Sequence, residues 1–141
     1  MTPVLDRIKA GQIKSLLERI SNDFGSLSAA PLRRMATPAL ERYLAQLPGV
    51  GLKTARCVMM YSLDRQVFPV DIHCMRLFHN LGLIDGRMRF ECAQDPLQAI
   101  VPAAIRKTLH VNAVAHGREI CIPRAERCDA CVIAHLCRNR H

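Results

Sequence analysis

The chain has 141 residues, half of them apolar, and its 20 lysines and arginines outnumber 12 acidic residues for a net charge of +8. That length is one domain's worth and supports a real core, while no apolar run nears the roughly 20 residues that span a bilayer. Trp is absent and aromatics make up 4% of the chain, which argues against a platform that stacks single-stranded bases.

Sixteen of the 20 basic residues are arginine, whose planar fork suits phosphate oxygens and favours a polyanionic partner, duplex nucleic acid above others. The pattern along the chain is helical throughout, so the expected fold is all-α. Thr2-Pro3 reads as an N-cap and first-turn proline. Ile13, Leu16, Leu17 and Ile20 follow at helical spacing, and Asn22 to Gly25 closes that segment. Thr37-Pro38 is a second start signal, with Leu40, Leu44 and Leu47 on one face. Pro48-Gly49 breaks this helix, and Gly51 precedes another that carries Ala55, Val58, Met59 and Ser62. A short extended stretch, 67–70, leads into a helix over about 72–81. Asp85-Gly86 is a turn. A long helix over about 102–116 is expected to end at Gly117 and deliver the chain to its cysteines.

Seven cysteines are present, and Cys121, Cys128, Cys131 and Cys137 read C-x6-C-x2-C-x5-C. Four thiols packed so closely point to a shared metal centre. Zinc sites usually pair two short C-x2-C knuckles, whereas a cubane iron–sulfur cluster is wider and suits the looser outer spacing. Spacing alone leaves zinc and unliganded thiols as alternatives. An odd cysteine count with no basic-then-apolar leader argues against disulfides. The expectation is a reducing, cytoplasmic and nucleoid-associated setting. Cys57, Cys74 and Cys92 read as small buried apolar residues.

Between two helices, Pro48, Gly49, Val50 and Gly51 form a tight hairpin. Val50 is expected to plug the core while the amides around Gly49 and Gly51 face outward at the start of the next helix, a ready phosphate site. Lys53 and Thr54 follow on that helix, whose positive end disfavours an ammonium. Asp71 fits the N-cap of the helix after the extended stretch. His73 reads as a support residue, and Arg76 as a solvated or phosphate-facing one. Arg124 and Arg127 lie on a loop pinned by sulfur at both ends, which lowers the cost of ordering them on phosphate.

Leu47-Pro48-Gly49-Val50-Gly51-Leu52-Lys53-Thr54-Ala55 resembles the helix-hairpin-helix of the endonuclease III group of DNA glycosylases. Val67-Phe68-Pro69-Val70-Asp71-Ile72-His73 matches the aspartate segment that follows the hairpin in that superfamily, and His116-Gly117-Arg118 leading into the four cysteines is similar to its cluster loop. The resemblance implies a helix-hairpin-helix glycosylase fold with a C-terminal 4Fe–4S cluster on Cys121, Cys128, Cys131 and Cys137. It implies base-excision repair by a bifunctional glycosylase and abasic-site lyase, with Lys53 as Schiff-base nucleophile, Asp71 as its acid–base partner, and double-stranded DNA bearing base lesions or abasic sites as substrate. Pro48, Gly49, Val50, Gly51, Lys53, Thr54, Arg124 and Arg127 become the DNA contacts. The corresponding division of the chain is 1–100, a partial helical barrel containing the hairpin (about 40–63) and the aspartate segment (67–81), and 101–141, a helix plus cluster loop. Family members carry further helices ahead of the matched segment, so the chain is expected to be short at its N-terminus, with a protein partner or a second copy covering the face those helices would take. A non-catalytic duplex-binding module with a structural cluster or zinc site is the rival reading, and a small redox or zinc protein the third.

Overall fold

The computed structural model describes residues 3–139, with the side chains of 3–5 excepted, so the expected cap at Thr2 lies outside the described residues. Every regular element among them is a helix, in agreement with the all-α expectation, and none is long and apolar enough to cross a membrane. Contacts divide the chain into two compact units, 1–65 and 66–141, whereas the sequence reading divides it at residue 100.

The first unit holds α1 (Pro3–Phe24), α2 (Ala30–Arg34), α3 (Thr37–Ala45) and α4 (Leu52–Tyr61). Leu40, Leu44 and Leu47 are buried as their spacing predicts, together with Ala55 and Met59 of α4. Val58 and Ser62, expected on the same face, stay partly or wholly exposed. The end of α1 docks on α3 through Phe24 and Tyr43, whose ring centroids lie 5.4 Å apart, and through the Tyr43 hydroxyl, which donates to Asp23 Oδ2 at 3.0 Å. Ile13 and Leu17 differ from expectation: at 58% and 42% exposure they lie on the outward side of α1, while Leu16 and Ile20 are half-buried. Ala36, not Thr37, caps α3, because Thr37 already has helical geometry and Pro38 fills the first turn.

The second unit holds α5 (Ile72–Asn80), α6 (Gln94–Ile100) and α7 (Arg106–Glu119), with single 3₁₀ turns at Phe90–Cys92, Ala103–Ile105, Cys128–Ala130 and Ala134–Leu136. Its core gathers Phe68, Val70, Cys74, Phe78, Leu97 and Ala113. Stretch 67–70 has no strand partner, because glutamine side chains satisfy its backbone instead. Gln98 Oε1 accepts from the Phe68 amide at 2.7 Å, and Gln94 brackets Val70 by accepting from its amide at 3.1 Å and donating to its carbonyl at 2.8 Å. Arg106 ties the same segment down by donating to the carbonyls of Gln66 and Gln98, both at 2.6 Å, and of Val101 at 2.9 Å.

Two further expectations change. α7 runs through Gly117 to Glu119 rather than ending at the glycine. Gly117 is there for close packing: a Cβ on it would lie 2.7 Å from His73 Cβ, so only glycine lets α5 and α7 meet at this point. Of the three isolated cysteines only Cys74 is buried. Cys57 is half-buried and Cys92 is exposed, since the turn that carries Cys92 faces outward ahead of α6.

Candidate functional site

In the first unit, α3 and α4 are joined by the expected hairpin. The Val50 amide donates to the Leu47 carbonyl at 3.0 Å, and Gly49 takes φ +74°, a left-handed conformation that favours glycine. A side chain at 49 would also collide with Gln12 of α1, whose Oε1 would be 2.7 Å from the new Cβ. Gly51 is the extended N-cap of α4 and offers no side-chain acceptor, so no cap side chain occupies the amides of the first turn. Those amides sit at the positive end of a ten-residue helix, which suits an anion. Lys53 is the second residue of α4 and half-buried, Thr54 is exposed, and Pro48 is half-buried. Val50 does not plug the core as expected. It is half-buried, and Leu47, at 5% exposure, fills that role.

Beneath the hairpin, α3 and α4 are clamped by charge. Arg56, 1% exposed, donates through Nε to Glu41 Oε2 at 2.8 Å and through a terminal nitrogen to Glu41 Oε1 at 3.4 Å. A two-pronged pair of this kind fixes the rotation of α4 about its axis, and with it the direction of Lys53 one turn earlier.

In the second unit, Asp71 caps α5 as expected, with Oδ1 accepting from the Cys74 amide at 2.8 Å. Partial burial pushes this carboxyl upward. The Cys74 hydrogen bond and the positive charges of His110 and His73 more than offset that, so it lies below the usual aspartate value and is ionised at neutral pH. The segment that delivers Asp71 is the one that Gln94, Gln98 and Arg106 immobilise. Those three positions carry no motif, and only their buried or half-buried polar groups reveal their role.

The four cysteines of the C-terminal loop line one cavity with apolar walls, shared with Leu77, His116 and Ile120. His116 Nε2 lies 3.6 Å from Cys131 Sγ, and burial lowers the proton affinity of that imidazole. Asn80 of α5 touches both outer cysteines of the loop: its Nδ2 donates to Cys121 Sγ at 3.5 Å, and its carbonyl accepts from Cys137 Sγ at 3.6 Å. A set of four thiols on one apolar cavity, with an amide N–H directed at a sulfur, fits an iron–sulfur cluster in donor chemistry. No group of three His, Cys, Asp or Glu among the described residues converges as the ligands of one metal ion would.

Arg76, expected from sequence to be solvated or phosphate-facing, is neither. It donates to the Cys121 carbonyl at 2.9 Å and the Gly117 carbonyl at 2.7 Å, and a terminal nitrogen lies 3.2 Å from His73 Nδ1. These bonds tie the end of α7 and Cys121 to α5. Arg124 and Arg127 are both exposed. Arg124 adopts φ +65° with its amide bound to Glu126 Oε1 at 3.2 Å, and Arg127 leans back to the Glu119 carbonyl at 3.5 Å. Lys53 thus stands in the first unit, and Asp71, the cysteines and both loop arginines in the second.

A helical hairpin with open amides, followed in sequence by a carboxylate-capped helix, is similar to the helix-hairpin-helix class of DNA glycosylase folds. Comparisons with known proteins agree. The chain is 35% identical over 94 residues to endonuclease III of Escherichia coli, covering 67% of this chain and 44% of the relative. It is 28% identical over 147 residues to the DNA glycosylase/AP lyase ROS1 of Arabidopsis thaliana, covering 92% of this chain and 11% of that one. Its structure matches a trapped endonuclease III–DNA covalent intermediate with a TM-score of 0.79 at 28% identity, covering 95% of this chain and 59% of the other. No protein-family model matches. In sequence and in fold the chain is endonuclease III-like. It spans about half the length of most of the curated endonuclease III relatives it matches.

Proposed function

We propose that this chain acts in base-excision repair on double-stranded DNA, as a glycosylase toward damaged bases and a lyase at abasic sites, within the nucleoid of the cytoplasm. The observation that carries the reading is Lys53 at the second position of α4, directly after a hairpin whose amides are open to an anion. Pro48, Gly49, Val50, Gly51 and Thr54 hold the DNA backbone there without regard to sequence, and the strand presents a flipped nucleotide.

At an abasic site the Lys53 amine adds to C1′ of the open sugar, and water leaves as the imine forms. The imine acidifies the 2′ C–H. Loss of that proton sends its electron pair into a new C2′–C3′ double bond and expels the 3′ phosphate, which keeps the C3′–O pair. With a damaged base still attached, the same amine displaces the base from C1′. Asp71, held ionised on its cap, supports the positive charge that builds on the sugar and takes part in the proton transfers.

Cys121, Cys128, Cys131 and Cys137 would hold a 4Fe–4S cluster, which supplies a covalent staple for the loop. That loop presents Arg124 and Arg127 to phosphate at fixed positions, which lowers the ordering cost of the contact.

Borohydride trapping on duplex DNA with a single abasic site tests the reading. A covalent adduct formed by the wild-type chain and absent in Lys53→Ala is expected. A folded, cluster-loaded chain that binds the duplex yet gives no adduct would reduce the protein to a DNA-binding module.

A further inference from the structure

Behind the cap of α5 lies a polar group that the reaction as described does not use. His110 of α7 is 3% exposed, in a core otherwise made of Phe68, Val70, Leu77, Phe78 and Ala113. Phe68 meets its ring edge-on, with centroids 6.1 Å apart and an interplanar angle of 86°, so the imidazole plane is fixed. Its Nδ1 lies 3.6 Å from the sulfur of Cys74, and the amide of that same Cys74 holds Asp71 Oδ1 at 2.8 Å. An apolar side chain would fill this place without the cost of burying an imidazole. These contacts lead from the imidazole to the Asp71 carboxylate.

We infer that His110 is a positioning residue for Asp71, seated beneath the first turn of α5 so that its imidazole steadies the Cys74 turn that holds the carboxylate. The inference deepens the proposed reaction and rests on that reading for its catalytic consequence alone. Cys74 is the pivot: its backbone serves the carboxylate and its side chain meets the imidazole, so one residue couples the two. The charge on His110 is among the causes that hold the Asp71 carboxyl below its usual value. The other charged group that acts on Asp71 is His73, which packs against Gly117 of α7 and whose Nδ1 lies 3.2 Å from an Arg76 terminal nitrogen; Arg76 itself is bound to the Gly117 and Cys121 carbonyls.

Coupling of this kind is reciprocal, so it can be read from either partner. Imidazole nitrogens of the intact cluster-loaded protein, in wild type and Asp71→Asn, are followed by two-bond nitrogen–proton correlation from pH 5 to 8.5. His110 is assigned by the signal missing from His110→Asn. Asparagine keeps a cap acceptor and removes only the charge, so the expected result is a fall in the His110 midpoint of about half a unit, roughly threefold in proton affinity. An unchanged His110 midpoint, or an imidazole neutral across the whole range, overturns the inference. That measurement needs no DNA and is independent of lyase activity. Where trapping succeeds, single-turnover cleavage by His110→Asn should show its acid limb displaced upward from wild type with Kd for duplex unchanged. An equal loss of rate at every pH would mean that His110 serves only packing, and would overturn the positioning role. A chain that gives no adduct at all refutes the lyase reading and leaves the midpoint test standing. If His110→Asn does not fold, the Asp71→Asn comparison still decides, with His110 assigned from its contact to the Phe68 ring.

Discussion

Replacing Glu41 by alanine takes a two-pronged carboxylate partner away from the Arg56 guanidinium in the interior of the first unit. Arg56 is 1% exposed and receives two bonds' worth of its satisfaction from the Glu41 carboxylate, at 2.8 and 3.4 Å. Removing one member of a buried pair costs about 3–5 kcal/mol, because the partner left behind is charged and out of water. Glu41 is itself 25% exposed, so part of the pair's field is already screened, and the lower end of that range, about 3 kcal/mol, is expected. The opposite single change is cheaper. Arg56→Met leaves a carboxylate that can turn toward solvent and replaces the guanidinium with a flexible apolar chain, for an expected loss of about 1–2 kcal/mol. The double variant Arg56→Met with Glu41→Leu should return to within about 1 kcal/mol of wild type. Urea unfolding followed by circular dichroism, run as a double-mutant cycle, measures all three. If Glu41→Ala lies within 1 kcal/mol of wild type, or if Arg56→Met is the more damaging single change, the ion pair is not what sets the hairpin's stability and the argument fails.

Gly117→Ala should cost about 1–3 kcal/mol by forcing α5 and α7 apart at His73, and an unfolding midpoint equal to wild type would show that the contact yields. Asp71→Ala should cost about 1 kcal/mol at pH 7 through loss of the cap. Because the native carboxyl lies below its ordinary value, that contribution is complete above about pH 4 and drains away as pH falls through the lower native value, so the two unfolding curves should converge in acid. A gap that does not change with pH would mean the ionised carboxylate is not the capping group. Arg124→Ala combined with Arg127→Ala should weaken duplex binding on unrelated sequences and lower the slope of log affinity against log salt by about two units. An unchanged slope removes the loop from the interface.

The parts of the fold that a sequence announces are those set by local chemistry. Gly51 and Asp71 are caps whose neighbours within three residues dictate the geometry, and both stand where they were expected. The leucine face of α3 is a period, and burial follows it. Gly117 misleads because glycine ordinarily stops a helix, yet here the demand comes from His73, 44 positions earlier in the chain. Gln94, Gln98 and Arg106 are silent for a similar reason: their partners are backbone atoms of a segment 24 to 40 residues away, and backbone atoms leave no mark in a sequence. Arg76 was misread on the same account. The four cysteines, which line one cavity, are legible as a group because they lie within 17 residues. Asn80, which touches two of them, is not.

The cysteine loop is less portable than its compact spacing suggests. Both of its ends are tied to α5, through Arg76 to the carbonyls of Gly117 and Cys121 and through Asn80 to Cys121, Cys137 and the Arg138 amide. A graft of residues 117–138 onto a foreign scaffold would carry all four cysteines and leave those five bonds behind. The smallest transferable unit is therefore α5, α7 and the loop together, and it brings the capping aspartate with it.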